Sequence, residues 1–397
     1  MNPARPNSEV RFSAGLSTLA DTLLAIGETC DQAMASMPAR PDLALVFVSS
    51  HHGPDFAPIA RAISDRTGAT TLIGCTGESI VGGGREIEGQ PALSLWLASM
   101  PGVSVQAMHL KLEQTAEGGS LVGWPDDLPD VLPDGATFIV LGEPFSFPTD
   151  VLLERLAEEH PGVPVVGGMA SGGWSPGQNR LLLGRQELDH GAVAVLLSGP
   201  IKIATVVSQG CRPIGRHFVI TKAERNVIQE LSGEPPLARL EQVLSSITPE
   251  QKQQVQHGLH VGRVINEYQD EFRQGDFLVR NVVGADPGTG AIAVGDYVRV
   301  GQTVQFHIRD AETADEELRR LLGEASADRQ RPAAAALLFT CNGRGSRLFS
   351  QSNHDAGAIQ NALGEIPIAG FFAQGEIGPV GGKNFVHGFT ASVVLFD

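Results

Sequence analysis

Three stretches of the chain alternate in one way between short apolar runs and amphipathic segments. In the first, LALVFVSS (43–50) is a continuous apolar run and PDFAPIARAISDRTG has helical spacing. TLIGCTGESIVGGG is then a short strand entering glycines, and ALSLWLAS (92–99) is apolar again. The second stretch runs from TFIVLGEPF (137–145) through TDVLLERLAEEH and PVVGGMASGGWSP to GAVAVLLSG (191–199). The third runs from AALLFTCNG (335–343) through NHDAGAIQNALG and PIAGFFAQGEIGPVGG to HGFTASVVLF (387–396). Apolar runs of this length without polar alternation predict strands buried on both faces. Helices between them predict layered α/β architecture. The recurrence over 43–99, 137–199 and 335–396 predicts an internal repeat.

The intervening stretches read differently. Residues 14–39 predict a separate helix with Ser13 as its cap. Gly, Pro and Asp crowd 113–135, which predicts a loop or linker. Residues 202–330 break the pattern and predict an α+β insert. There TKAERNVIQELSG (221–233) has a Thr-x-x-Glu start and a Gly end, the signals of a capped helix. TPEQKQQVQHG places Thr248 as N-cap, Pro249 first and Gln251 third. LHVGRVINEY, DFLVRNVVG, AIAVGDYVRV and TVQFHIRD predict strands, with a hairpin turn at GADPGTG. Asp310 caps a following helix, and 324–332 predicts a short exposed connection. The fold class expected is therefore mixed α/β (α+β). Layered sheets are flanked by helices and built from about three similar strand–helix–strand–strand units, with the insert at roughly 202–330.

Composition narrows the function classes. The chain has 397 residues, enough for more than one domain, with 42% apolar and 19% charged residues. A net charge of −16 argues against nucleic acid and against anionic membrane surfaces. Cys30, Cys75, Cys211 and Cys341 are widely spaced, so neither a disulfide framework nor a structural zinc is expected. No apolar run is long enough to span a bilayer, and MNPARPNSEVRF lacks a signal core, so a cytoplasmic location is expected. No cofactor and no metal are expected: GGGREIEG (82–89) is not a dinucleotide fingerprint, and His51, His52 and Asp55 in SSHHGPD lack helical ligand spacing.

The segments GDYVRVGQTVQFHIRDAETADEEL and CNGRG…GFFAQGEIGPVGGKNFVHGFTA resemble the C-terminal half of FIST proteins. LIGCTGESIVGGGREIEGQPALSLWLA is similar to the FIST N-terminal module. The resemblance covers about residue 15 to 397. It implies a FIST N module over 1–200, carrying units 43–99 and 137–199, and a FIST C module over 201–397, carrying the insert and unit 335–396. It further implies an intracellular sensory protein of signal transduction that binds small ligands such as amino acids. Relatives occur beside signalling modules or an F-box, neither of which is visible here, so any output would pass through a separate signalling partner.

Two glycine-dense tail loops carry the candidate chemistry. In the first, Gly343 and Gly345 would turn backbone N–H groups inward, Arg344 offers a fork for a carboxylate, and Asn342 both donates and accepts, beside Cys341. The helix starting near Asn353 would direct its positive end there. In the second, Glu376 after Gly375 would take an ammonium group, with Asn384 and His387 adding hydrogen bonds. Together they suit a zwitterionic amino acid or another small carboxylate, provided Arg344 and Glu376 do not simply pair with each other. Two other readings stand beside this one. Cys341 with His387 or His354 would make a nucleophile-dependent enzyme, and a ligand-free interaction scaffold would need only the turns. Arg309 and Arg212 are further cations without an evident role.

Overall fold

Leu43, Leu45 and Phe47 pack into one hydrophobic core while Ala44, Val46 and Val48 pack into another. This two-sided burial is why the run lacks polar alternation. The computed structural model describes residues 9–37, 40–53, 56–115, 118–129, 131–269, 271–329 and 331–397. It forms two compact units: one holds the chain up to Val207 and from Arg319 onward, the other is Ser208–Leu318.

The first unit contains three mixed sheets with one strand order. In the first, Arg11–Ser17, Leu93–Ser99, Leu43–Ser49 and Thr71–Gly77 lie side by side. In the second the corresponding strands are Ser104–Thr115, Ala192–Ser198, Thr137–Gly142 and Val165–Met169, with Gly118–Val122 beyond the outer edge. In the third they are Ile203–Ser208, Ala391–Phe396, Ala335–Cys341 and Ile368–Ala373. The inner pair of each sheet is parallel, joined by a helix: Ala57–Thr67, Thr149–Glu159 or His354–Leu363.

Each sheet is completed by a hairpin borrowed from another segment. Ile80–Gly82 with Arg85–Ile87 joins the third sheet, where Gly370 faces Val81. Leu181–Leu183 with Gln186–Leu188 joins the first, with Leu181 opposite Cys75. Glu376–Val380 with Lys383–His387 joins the second, with Gly168 opposite Glu376. The exchange is cyclic, so no sheet is complete without a distant part of the chain. Side chains from all three sheets share one core, centred on Phe47, Phe339 and Phe371. Glycine is required where the parallel strands touch. A Cβ at Gly74, Gly167 or Gly370 would lie 2.3, 1.9 or 1.8 Å from the carbonyl oxygen of Val46, Val140 or Leu338.

The second unit is a closed barrel of Cys211–Glu224, Val227–Leu231, Ala291–Val294, Phe277–Asp286, Leu259–Val264 and Thr303–Arg309. Ile220, Ile228, Leu231, Val261, Val304 and Phe306 pack its core. Helices Pro236–Ser246 and Pro249–His257 accompany it. Thr248 and Gln251 form the expected capping box, and Asp310 accepts from Thr313 N–H at 2.8 Å to start Ala311–Ala327.

Several expectations are corrected. Residues 14–39 are not one helix: Arg11–Ser17 is an edge strand, and helix Thr22–Ala35 is capped by Asp21, which accepts from Leu24 N–H. Residues 221–233 are not a helix but a hairpin turning at Arg225, φ 54°. Thr221 Oγ1 accepts from Gly233 N–H across that hairpin rather than capping a helix, because barrel burial outweighs the local capping signal. Part of 113–135 is paired strand. The run AIAVGDYVRV is strand only over Ala291–Val294, and 295–300 is irregular. Helix Ala311–Ala327 runs into 324–332, which is therefore not all connection.

Candidate functional site

Strand Ala335–Cys341 ends beside Ala373 of its parallel neighbour. The carboxyl end of such a pair is where α/β sheets receive ligands. Cys341 N–H donates to Thr390 O at 3.0 Å and Asn342 N–H to Ala373 O at 3.0 Å. Arg344 Nη1 donates to Phe389 O, and Thr390 N–H donates to Glu376 Oε2 at 3.0 Å. Cys341, Arg344 and Glu376 thus converge on residues 389–390, where Phe389 is held at φ 65°. His387 faces Glu376 across the hairpin, and its Nε2 lies 2.9 Å from Gly378 O. Gly375 O accepts from Met169 N–H, stitching this hairpin to the second sheet. Asn384 lies elsewhere: it pairs with Pro379, farther along the hairpin, and binds Val163 O and Val165 N–H.

Neither converging charge reaches solvent: Arg344 and Glu376 are each 0% exposed. Asp355 is the carboxylate that Arg344 grips. Its Nε and Nη2 grip Asp355 at 2.7 and 2.8 Å, a bidentate fork. Thr340 Oγ1 donates to Asp355 at 2.6 Å, His354 Nδ1 lies 2.9 Å from it, and the His354 ring stacks on Phe349. Burial pushes the Asp355 carboxyl up, but the Arg344 charge and these hydrogen bonds overcome it and hold it well below the usual range.

Glu86 closes the same cluster from the borrowed hairpin. Its Oε1 accepts from Ala356 N–H at 2.8 Å, and its own N–H donates to Asn353 Oδ1 at 2.7 Å. Burial, then the Asp355 charge, raise the Glu86 carboxyl from 4.5 to about 7, against the pull of the helix N–H groups. A carboxyl raised on folding stabilises fully below its unfolded value and loses that contribution as pH rises through the folded one. Stability of the first unit should therefore fall between pH 4.5 and about 7 through this group. Glu86→Gln, measured by urea unfolding across that range, should flatten the dependence and raise stability above pH 7. An unchanged slope would contradict this.

The solvent side of the loop presents different groups. The single turn Gly345–Arg347 aims Ser346 N–H and Oγ at the Glu88 carboxylate, at 2.9 and 2.6 Å. Arg347, whose side chain is 55% exposed, bonds Glu78 and donates to Asn342 O at 2.7 Å. Gly345, at φ 58°, makes room: a Cβ there would meet Glu88 Oε1 at 2.7 Å. Among the described residues, buried Asn342 Oδ1 has no hydrogen-bond partner. Gly343 N–H points to Cys341 Sγ at 3.4 Å.

Sequence reasoning missed Asp355, Glu86, Glu88, Ser346 and Arg347. Asp355 was signalled by its place in the first turn of the helix after the loop; the two glutamates arrive from over 250 residues away and gave no local signal. His52 bonds Thr22 Oγ1, and burial lowers its pKa; His51 is exposed, and Asp55 lies outside the described residues. In the barrel unit Arg212 pairs with Asp310 and Gln254, and Arg309 faces Cys211 across the strand pair.

Family models match over most of the chain: the FIST N domain over residues 42–234 and the FIST C domain over 236–379. Their shared boundary falls inside the barrel unit. An uncharacterized protein of Mycobacterium tuberculosis is 42% identical over 393 residues, covering 98% of this chain and 100% of the relative. An uncharacterized protein of Mycobacterium bovis is 41% identical over 393 residues, covering 98% and 99%. FIST domains form a sensory, signal-transduction family, and among the described residues no helix is long and apolar enough to cross a membrane. With both domain models matched in one polypeptide and relatives aligned end to end, this chain belongs to the FIST family.

Proposed function

We propose that this protein is a cytoplasmic sensor whose loop 341–347 binds a small carboxylate, amino acids included, and passes the event to a signalling partner. One observation carries the reading: the loop already holds carboxylates. Ser346 N–H, Ser346 Oγ and the Arg347 guanidinium are engaged by Glu88 and Glu78, which flank the hairpin borrowed by the third sheet. A free carboxylate has the same chemistry and competes for the same donors. Asn342 Oδ1, close by in sequence, would accept from an ammonium group. Cys341 and Gly343 line the approach, while Arg344, Gly345, Glu376 and His387 hold the loop and the wall at 388–390 behind it. Binding that releases Glu88 and Glu78 biases residues 78–88, giving the two states a difference a partner can read. The repeat of three similar units would be the scaffold for this exchange. The enzyme reading gains less support, since His354 is engaged by Asp355 and His387 by Gly378.

A thermal-shift screen against the standard amino acids, acetate and succinate tests the reading. At 100 times its dissociation constant a bound ligand stabilises by about 2.7 kcal/mol. Arg347→Ala and Ser346→Pro should remove the shift without unfolding the protein. A shift that survives both variants, or no shift from any compound, would contradict it.

A further inference from the structure

A hollow of about 520 Å³ opens along the free edge of the first sheet. That volume is in the range of small-molecule sites. Strand Gln186–Leu188 is the last in its sheet order, and residues 185–190 all line the hollow, so the outward backbone groups of this edge open into it. Helix Ala57–Thr67 forms the other side through Arg61.

The charged groups here share one face of the sheet. Glu187 is opposite Leu182, which packs in the helix-side core with Ile59, Ala60 and Ile63. Arg180 bonds Glu187, so it lies on that face too. Arg185 forks onto Asp65, one helical turn beyond Arg61. Leu188 turns the other way, against the central core.

The space exists because this sheet departs from the third. Glu187 holds the position of Glu86: Leu182, opposite Glu187, faces Gly74, as Val81, opposite Glu86, faces Gly370. Glu86 is buried against its helix and accepts from Ala356 N–H. Glu187 turns instead to Arg180, so no carboxylate of its own strand fills the room beside helix Ala57–Thr67.

Arg180 is balanced by Glu187, and Arg185 by Asp65. Arg61 is exposed, and among the described residues no carboxylate lies within ion-pair distance of it. Such a guanidinium is complementary to a carboxylate. The other groups call for hydrogen-bond donors: Glu187, Asp189 and the outward backbone carbonyls accept. The two side-chain carboxylates also repel a second negative charge, which disfavours dicarboxylates and phosphate dianions. Among the described residues no aromatic ring lines the hollow, so a sugar ring or aromatic body finds no platform. A flexible chain of hydroxyls ending in one carboxylate matches what is left.

We infer that this hollow is a second ligand site, separate from loop 341–347, that takes an open-chain polyhydroxylated monocarboxylate: the carboxylate pairs with Arg61, and the hydroxyls bond Glu187, Asp189 and the free edge of strand Gln186–Leu188.

Calorimetric titration of the full chain with gluconate tests this. Sorbitol is the counterpart without the carboxylate, acetate the anion without hydroxyls, and galactarate the chain with a second carboxylate. Saturable binding of gluconate is expected, at least about ten-fold tighter than each of the three. Arg61→Met should weaken it about ten-fold or more and abolish the preference over sorbitol, while Arg347→Ala should leave it unchanged. Arg61 is an exposed helix residue, so its replacement keeps the fold, which circular dichroism verifies. Asp189→Asn should narrow the discrimination against galactarate. Absence of saturable binding, equal affinity for sorbitol, or retention of affinity in Arg61→Met would each overturn the assignment. Binding lost in Arg347→Ala but kept in Arg61→Met would place the hydroxy acid on loop 341–347 and overturn it too.

Discussion

Arg344→Met should lower the stability of the first unit by about 3–5 kcal/mol, the cost of stranding one partner of a buried ion pair. The pair has no access to water: the Arg344 and Asp355 side chains are 0% and 1% exposed. Methionine replaces most of the side-chain volume but supplies none of the charge that holds the Asp355 carboxyl down. That carboxyl would then be driven up by burial and by Glu86 nearby, and would take a proton at a pH where it is now ionised. The double variant Arg344→Met/Asp355→Leu separates charge from packing. Removing both partners should recover most of the loss, since apolar replacement of a whole buried pair is often neutral or better. Urea unfolding of both variants measures this; a single-variant loss under about 1 kcal/mol would show that the fork carries no burial energy. The double variant should keep its response to carboxylates, because Ser346 and Arg347 rather than Arg344 present donors to solvent.

The barrel unit should lose stability in acid, in the opposite sense to Glu86. His260 and His307 face each other across adjacent strands, 4% and 1% exposed. Burial lowers both from 6.5 to about 4, with the Arg309 charge adding to the effect on His260 and His260 itself to that on His307. His307 is packed against Phe277 at 5.0 Å and has no space to relax, since even a Cβ on Gly262 would meet its ring. Below pH 6.5 the unfolded chain binds protons that the folded one refuses until about pH 4. The stability contribution is therefore complete above 6.5 and lost on the way down to about 4. Each ring accounts for up to about 3 kcal/mol, less for the second once the first is charged. Segment-resolved hydrogen exchange follows the two units separately. Residues 208–318 should lose protection on acidification while the first unit gains it through Glu86. His260→Asn should reduce the acid loss by about half. A barrel whose protection is unchanged by acid would contradict the assignment.

How much of this was legible depends on whether the deciding interactions are local. The strands at 43–49, 137–142 and 335–341 announced themselves because both faces are buried, and Thr248 announced a helix because a capping box is local. Residues 221–233 carry an equally good local signal and form a hairpin, since Ile220, Ile228 and Leu231 are needed inside a barrel that only distant strands complete. TLIGCTGESIVGGG read as a short strand entering glycines; the three-residue strands Ile80–Gly82 and Arg85–Ile87 exist because another sheet supplies the partner. At the site an approach of 341–345 toward the second tail loop was readable, although the contacts fall on 389–390 and not on Asn384. The pairing of Arg344 was not. The fold returns Asp355, eleven residues away, to the fork.

The competition at Ser346 is the claim on which the sensor rests. Calorimetric affinity of a carboxylate found in the screen, compared between wild type and Glu88→Gln, measures it directly. Neutralising the built-in competitor weakens its hold on Ser346 by about 1 kcal/mol, so the free carboxylate should bind about five-fold tighter to the variant. Equal or weaker binding would mean that Glu88 and the ligand do not share a site.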